Sequence, residues 1–330
     1  MPAPKRIIMV AQQQHSANAA QPIGRHFRLG TRGSPLALAQ AAEVAQRLLA
    51  ANPALESDQI ETVIVHTSGD RIQDRPLAEV GGKGLFAKEI EDQLTSGALD
   101  FAVHSAKDLE TRLPADLMIA CVLPREDPRD VLLCEHARSI ADLPQAACVG
   151  TASLRRAAQL LHHRPDLNIV NLRGNVETRL RKLRDGDVDA TLLALAGLKR
   201  LQRTEDAASV IDVTDILPAV GQGAIAIECR IDNTGVRALL ATINDRDSAI
   251  CLAAERAMLA ALDGSCRTPI GGLARLDGDT LALDGLVAMA DGSALHRLLR
   301  AGPASDGQAL GAQLGAELRA LSGPKLFEAW

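Results

Sequence analysis

Short apolar runs alternate with amphipathic segments from about Phe27 to Val220, and this pattern predicts layered α/β structure. Two blocks share the pattern. The first block has predicted strands at 26–29, 60–66 and 101–104, with helices at 34–50 and 85–94. The second block has predicted strands at 146–149, 167–172 and 190–195, with helices that begin at Ser153 and Asn175.

A segment rich in proline and charge, 124–130, separates the blocks and indicates a crossing between domains. After a further strand at 224–229, the pattern changes to a helix (248–262), strands near Leu273, 281–287 and 295–299, and a helix (308–321). That order is typical of an α+β unit. We therefore predict three domains after a disordered extension at 1–26: residues 27–124 with 222–241, residues 125–221, and residues 242–330.

The composition is that of a globular protein. Of 330 residues, 47% are hydrophobic and 23% charged, and no apolar run approaches the ~18 residues of a membrane-spanning helix. An apolar run of five residues at 7–11 is too short for a secretory signal. The six cysteines lack metal-binding spacing, which favours a reducing compartment and no metal site. We predict a cytoplasmic protein that does not bind membranes.

Charge is unevenly distributed along the chain. The net charge is −5, yet residues 151–203 hold eleven Lys and Arg against five Asp and Glu. A cationic segment in an acidic protein favours a confined anionic ligand, because nucleic-acid-binding proteins are more often basic throughout. Aromatic residues are 2% of the chain and tyrosine is absent, so few side chains are available for base stacking.

Three segments repeat one design, in which a strand is followed by Gly, Ser, Thr or Arg and then a helix. They are 30–34, 150–156 and 171–175. Helix N-termini present unpaired amides to an anion, and arginine adds bidentate binding of carboxylates. One such segment alone is more typical of an ordinary helix cap with solvated arginines, but three together, with paired arginines, favour an anion site. Arg173 and Arg179 are expected to face the cleft, whereas Arg181 and Arg184 share a solvated face with Glu177.

Two glycine-rich segments fail as nucleotide-binding motifs. Residues 221–226 fit a loose G-x-G-x-x-A but lead into a strand, whereas the dinucleotide motif opens a helix. Residues 81–84 lack the P-loop spacing, although Lys83 makes this segment a cationic candidate for anion binding.

Asp108 and Cys266 are the candidates for chemistry. Asp108 follows an apolar strand, at the edge where open α/β sheets bind ligands. It is either an acid/base group or half of a surface ion pair with Lys107, and the sequence leaves both open. Cys266 lies in a polar loop beside Arg267, and a neighbouring cation favours the reactive thiolate. The other five cysteines lie in apolar runs and are expected to be inert.

Nine ordered blocks then carry a resemblance: TRGSPLALAQ, GGKGLF, DFAVHSAKD, VGTASLRR, NLRGNV, LAGLKRL, LPAVGQGAIAIECR, AAERAML and GSCRTPIGG. The chain resembles the porphobilinogen deaminase (hydroxymethylbilane synthase) family from about Arg28 to the Cys266 loop. The resemblance implies an α/β fold with two periplasmic-binding-protein-like domains around a cleft, plus the smaller C-terminal α+β domain. It implies a transferase of tetrapyrrole and haem biosynthesis that joins four porphobilinogens into hydroxymethylbilane with loss of ammonia. A monomer is expected.

The resemblance also implies the site residues. Cys266 holds a covalent dipyrromethane primer through a thioether, and Asp108 is the catalytic acid/base. The remaining cofactor-binding residues are Ser105, Lys107, Thr151, Ser153, Arg155 and Arg156. The substrate-binding residues are Arg32, Ser34, Lys83, Arg173, Arg179 and Arg200. Two alternatives are a non-catalytic, two-lobed anion-binding protein and, less favoured, an RNA-binding protein.

Overall fold

A computed structural model describes residues 26–71, 87–264, 268–323 and 326. The strands are β1 (Phe27–Arg32), β2 (Ile60–Val65), β3 (Phe101–Ser105), β4 (Leu117–Val122), β5 (Asp130–Cys134), β6 (Cys148–Gly150), β7 (Asn168–Val170), β8 (Ala190–Ala194), β9 (Ser209–Val210), β10 (Ile225–Arg230), β11 (Ile270–Asp277), β12 (Thr280–Ala288) and β13 (Leu295–Pro303). The helices are α1 (Pro35–Ala51), α2 (Ser68–Arg71), α3 (Lys88–Thr95), α4 (Leu154–His163), α5 (Val176–Arg184), α6 (Leu195–Arg200), α7 (Thr234–Ala241), α8 (Arg246–Ala261) and α9 (Gly307–Ser322).

Two five-stranded sheets have the same topology, and each forms the centre of one lobe. The first lobe has the order β2-β1-β3-β10-β4, and the second has β7-β6-β8-β5-β9. In each sheet the first three strands are parallel, and the fourth is antiparallel to the third. The chain crosses between the lobes twice, at 123–129 and at 211–224, and each crossover leads into an antiparallel strand. The predicted α/β class with two related blocks is confirmed.

The antiparallel strands place both crossovers at the edge where the parallel strands end. Asp130, the first residue of β5, pairs with Ala194, the last residue of β8. In the first lobe Ile225 opens β10 opposite Ser105, which closes β3. In each sheet, the first residues of the fourth, antiparallel strand therefore lie beside the last residues of the third, parallel strand. Both groups of residues lie at the same edge of the sheet.

The C-terminal unit has a three-stranded antiparallel sheet, β11-β12-β13, covered by α8 and α9. This is the predicted α+β arrangement. Gly311 and Gly315 let α9 approach α8 closely, since a Cβ at either position would overlap a backbone carbonyl of α8. Within the described residues, no helix is both long and apolar enough to cross a membrane.

The helix caps agree with the sequence. Ser34, Ser153 and Asn175 each accept a backbone N–H in the first turn of the helix that follows. Several strand boundaries were wrong. β1 continues to Arg32 and β6 to Gly150, so parts of the segments interpreted as loops belong to strands, whereas β7 ends at Val170 instead of 172. Strands β4 and β5 were not predicted, because their alternation is hidden in continuous apolar runs.

Candidate active site

Asp108 ends a short 3-10 turn, Ala106–Asp108, directly after β3. The side chain is 36% exposed, and one of its oxygens lies 3.6 Å from Nη1 of Arg32, at the end of β1. Because β1 and β3 are parallel neighbours, their carboxyl ends bring this cation and this carboxylate together. Asp108 is therefore accessible to a ligand and is oriented by a cation other than its sequence neighbour Lys107.

Across the cleft, two adjacent arginines share one buried carboxylate. Arg155 donates from Nη2 to Asp130 at 2.8 Å, and Arg156 donates from Nη2 to its other oxygen at 2.7 Å. The Asp130 side chain is fully buried. Burial alone would raise its pKa, but the two guanidiniums outweigh that effect and hold the pKa well below its usual range. Asp130 is thus an anion that orients both arginines.

A third donor reaches Asp130 from the second crossover. The Gln222 side-chain amide donates to Asp130 at 2.8 Å and to the Pro128 carbonyl at 2.6 Å. Arg155 also donates to the Leu217 carbonyl at 2.7 Å. The two arginines are consequently tied to both passages of the chain between the lobes.

The buried arginines retain hydrogen-bonding capacity. The Nε atoms of Arg155 and Arg156 are buried and have no partner among the described residues. Leaving such a donor unpaired costs free energy, so an oxygen-bearing ligand is favoured there. Carboxylates of a dipyrromethane group fit these donors.

Lys107 and Arg179 add positive charge to the same region. Burial lowers the pKa of Lys107 to about 8, although Asp108 opposes the shift. Burial likewise lowers the pKa of Arg179 to about 10, with further lowering by Arg156 and Arg173. Clustered cations with depressed pKa values are typical of a site that binds an anion. The predicted orientation of Arg173 and Arg179 toward the cleft remains a prediction.

The small polar residues predicted as ligands have structural partners. Ser34 and Ser153 cap α1 and α4. Thr151 is buried and its hydroxyl accepts the Ser153 amide at 3.1 Å. The Ser105 hydroxyl accepts the side-chain amide of Gln40 at 2.9 Å. These contacts position the strand ends, and direct binding by these four residues remains a prediction.

Arg200 lies at the lobe junction, apart from the arginines around Asp130. Its Nε is 3.2 Å from Glu43 of α1, and its Nη2 donates to the Gly223 carbonyl at 3.2 Å. A cavity of about 280 Å³ is lined there by charged residues of both lobes, but neither Asp108 nor Arg155 nor Arg156 contributes to it. The substrate-binding role of Arg200 remains a prediction.

Cys266 and Lys83 lie outside the described residues, so their predicted roles are not tested by geometry. Among the other cysteines, burial raises the pKa of Cys121 to about 12 and those of Cys229 and Cys251 to about 11. Raised pKa values and burial disfavour the reactive thiolate, in line with the expectation that these three thiols are inert. Cys134 and Cys148 are partly buried, and Cys134 packs against a buried hydrophobic cluster of the second lobe.

Asp130 was missed in the sequence. It was interpreted as part of a charged crossing, with no separate role. The available signal was one acid directly before the apolar run Val131–Leu133, which predicts a strand whose first residue is drawn into the core.

Two α/β lobes, with an accessible carboxylate on one and a cluster of buried arginines on the other, are typical of the class of proteins that bind an anionic ligand between two lobes. Residues 27–238 match the family model described as "Porphobilinogen deaminase, dipyromethane cofactor binding domain", and residues 249–320 match "Porphobilinogen deaminase, C-terminal domain". The chain belongs to the porphobilinogen deaminase family, as its motifs indicated.

Full-length relatives agree. The chain is 54% identical to the porphobilinogen deaminase of Nitrobacter winogradskyi, over 91% of this chain and 94% of the relative. It is 52% identical to the porphobilinogen deaminase of Paracoccus denitrificans, over 92% of this chain and 96% of the relative. It is 51% identical to the chloroplastic porphobilinogen deaminase of Oryza sativa, over 92% of this chain and 86% of the relative.

Solved structures give weaker similarity. A periplasmic substrate-binding protein of an ABC transporter from Coxiella burnetii is 13% identical with a TM-score of 0.41, over 68% of this chain and 94% of the other. A nutrient-binding protein from Burkholderia cenocepacia bound to methionine is 18% identical with a TM-score of 0.40, over 67% and 93%. Similarities at these values do not define function.

Replacing Asp130 by Asn is expected to lower the free energy of unfolding by about 3 kcal/mol, because two buried guanidiniums lose their counter-charge. The loss should shrink as pH falls below about 4, because the carboxyl group of the unfolded wild-type chain then binds a proton, whereas the folded carboxylate, with its lowered pKa, stays ionised. Urea unfolding at pH 7 and pH 3 measures both. Asp232→Asn, which removes an exposed partner of Arg230, is the control and should change stability little. Equal losses in the two variants would contradict the role of Asp130.

The lowered pKa of Lys107 predicts pH-dependent anion binding. The ammonium is lost as pH rises through about 8, so the Cys266→Ala protein, which has no tether for the primer, should bind citrate about threefold or more weakly at pH 9 than at pH 7.5. Calorimetric titration measures the two affinities. Lys107→Arg keeps its charge over this range, so its affinity should be nearly constant; a wild-type-like slope in that variant would contradict the assignment.

Proposed function

We propose that this protein joins four porphobilinogens head to tail into hydroxymethylbilane, releasing ammonia at each addition, on a covalently bound dipyrromethane. One observation carries the proposal: in a chain of this family, a partly exposed Asp108 occurs together with two buried arginines, Arg155 and Arg156, whose Nε donors have no partner among the described residues. The activity is that of a transferase in tetrapyrrole biosynthesis.

Asp108 performs the acid/base work in this proposal. Loss of ammonia from an aminomethylpyrrole leaves a cation delocalised over the substrate, and a nearby carboxylate stabilises such a cation. The same carboxylate can move the protons that leave and enter at the reacting carbon. Arg32, 3.6 Å from Asp108, is placed to orient this carboxylate and to bind a substrate carboxylate.

The second lobe supplies most of the charge that the product needs. Each added pyrrole brings two carboxylates, so a growing chain requires several fixed cations. Arg155, Arg156, Arg173 and Arg179 provide them from the ends of strands and the first turns of helices. Asp130 neutralises only part of this charge, so the region remains attractive to anions.

The dipyrromethane, when bound, supplies the pyrrole carbon to which the first substrate is joined. Cys266 would hold it through a thioether, and Arg155 and Arg156 would bind its carboxylates through their unpaired Nε donors. Ser105, Lys107, Thr151 and Ser153 lie at the carboxyl ends of β3 and β6 and would complete the site. Lys83 and Ser34 would bind substrate.

The domain limits remain as stated: 27–124 with 222–241, 125–221, and 242–330. The three separate sheets support this division. Alternative classes are not favoured. A non-catalytic anion-binding protein requires neither Asp108 nor Cys266, and the family assignment supports an enzyme. We also propose that it acts as a cytoplasmic monomer without nucleic-acid partners.

The first test is the intact mass. The purified protein is expected to exceed its sequence mass by two linked pyrroles and to give colour with Ehrlich-type reagent, and Cys266→Ala should abolish both. Cys134→Ala, which alters a different partly exposed thiol, is the control and should keep both. A fully active protein without the added mass would refute the proposal.

The second test concerns Asp108. Asp108→Asn should retain the added mass yet form hydroxymethylbilane about 10²-fold or more slowly, because it removes both the proton-transfer group and its charge. Single-turnover kinetics measures the step directly. Asp116→Asn, an exposed acid in the same connection, should remain within about twofold of the wild type. Near-normal turnover of Asp108→Asn would remove the assigned role.

A further inference from the structure

The segment that follows Asp108 is attached to the C-terminal unit by side chains outside the proposed chemistry. Before it, the Ala106 amide donates to the Ala224 carbonyl at 3.0 Å, which fixes the turn to the start of β10. Ala106 and Leu109 also belong to one buried cluster with Leu252 of α8. The turn that carries Asp108 is therefore packed directly on α8.

Among these contacts of the segment after Asp108, the hydrogen bond of Thr111 joins the residues that are furthest apart in the chain. The Thr111 hydroxyl donates to the Gly264 carbonyl at 2.7 Å, joining residues 153 positions apart in the chain. Thr111 is three residues after Asp108, and Gly264 is two residues before Cys266. This hydrogen bond therefore connects the two candidate chemical residues by a short covalent path on either side.

Both ends of this hydrogen bond are held in place. The Gly264 amide donates to the Leu259 carbonyl at 3.0 Å, and a Cβ at Gly264 would overlap side-chain atoms of Leu259 and Ile270. On the other side, Arg256 of α8 donates from Nη2 to the Glu110 and Thr111 carbonyls at 2.7 and 3.1 Å. Neither the hydroxyl donor nor its acceptor can move without disturbing α8.

We propose that Thr111 is a positioning residue, which sets the separation between the Asp108 carboxylate and the point where the chain leaves Gly264 toward Cys266. This inference rests on the proposed function, since it assigns Thr111 a role only if Cys266 carries the primer and Asp108 acts on the incoming substrate. Thr111 acts through Gly264 and touches no reacting atom. Displacement of a reacting group by about 1 Å is enough to slow a reaction up to about 10²-fold.

A purely structural role predicts a different outcome. A partly buried hydrogen bond stabilises the fold modestly wherever it occurs, so its loss would lower Tm without a specific effect on turnover. The Thr242 hydroxyl provides the comparison, because it too donates to a backbone carbonyl, that of Leu239, at 2.7 Å. Thr242 lies after α7, outside the candidate site.

The test compares Thr111→Val, Thr111→Ser and Thr242→Val in the full-length, primer-loaded enzyme. Val keeps the branched shape of Thr but lacks the hydroxyl, and Ser keeps the hydroxyl. We expect Thr111→Val to carry the full added mass, to lose about fivefold or more in kcat, and to keep KM within about twofold. Thr111→Ser should restore kcat to within about twofold. Thr242→Val should lower Tm without changing kcat.

Other results would overturn the inference. A loaded Thr111→Val enzyme with kcat within about twofold of the wild type contradicts it, as does an equal loss of kcat in Thr242→Val at equal loss of Tm. If Thr111→Val does not fold, Thr111→Ala and Thr111→Ser decide by the same criteria, since only Ser retains the donor. A wild-type protein without primer and without bilane product instead refutes the proposed function, and this inference with it.

Discussion

The fully buried carboxylate of Asp130 is the constraint on which the site depends. Two guanidiniums from adjacent positions on α4 cannot enter the same low-dielectric region unless an anion compensates their charge. Asp130 provides that anion from the first position of β5, directly after the first crossover, and Gln222 binds it from the second crossover. The same carboxylate therefore orients the arginines and ties them to the second crossover. Because one carboxylate faces Arg155, Arg156 and the nearby Lys107, a positive excess remains for an anionic ligand.

A second buried carboxylate, Glu255, performs the corresponding task for the C-terminal unit. It accepts hydrogen bonds from the Arg125 side chain in the first crossover, the Gly221 amide in the second, and the Ala274 amide in β11. Each lone pair is used, which offsets the cost of burying the charge. Both crossovers are thus bound to one residue of α8, the helix that leads to Cys266. These polar contacts and the buried apolar cluster of Ala106, Leu109 and Leu252 together join the lobes to the C-terminal unit.

Many helix starts and the α+β class of the C-terminal unit were predictable because they depend on short-range sequence patterns. Caps such as Ser34 and Asn175 are short-range features, and the α+β tail follows from alternation in β12 and β13. The failures had physical causes. Strands β4 and β5 are covered on both faces, so their uniform apolar runs lack the period of two that marks a half-exposed strand. The ion pairs were not predicted either: Arg200 and Arg156 belong to similar cationic segments, yet Arg200 pairs with Glu43 at the lobe junction and Arg156 with Asp130.

The sequence alone determined the family, the α/β class, the cationic character of 151–203 and the identity of Asp108 and Cys266 as candidates, because these depend on residue types and short spacings. The tertiary structure decided which charges meet. Asp108 pairs with Arg32, Asp130 collects both buried arginines, and Thr111 reaches Gly264. Such contacts join residues tens to more than a hundred positions apart. They arise only when parallel and antiparallel strands bring their ends to a common edge, a geometry that no local pattern encodes.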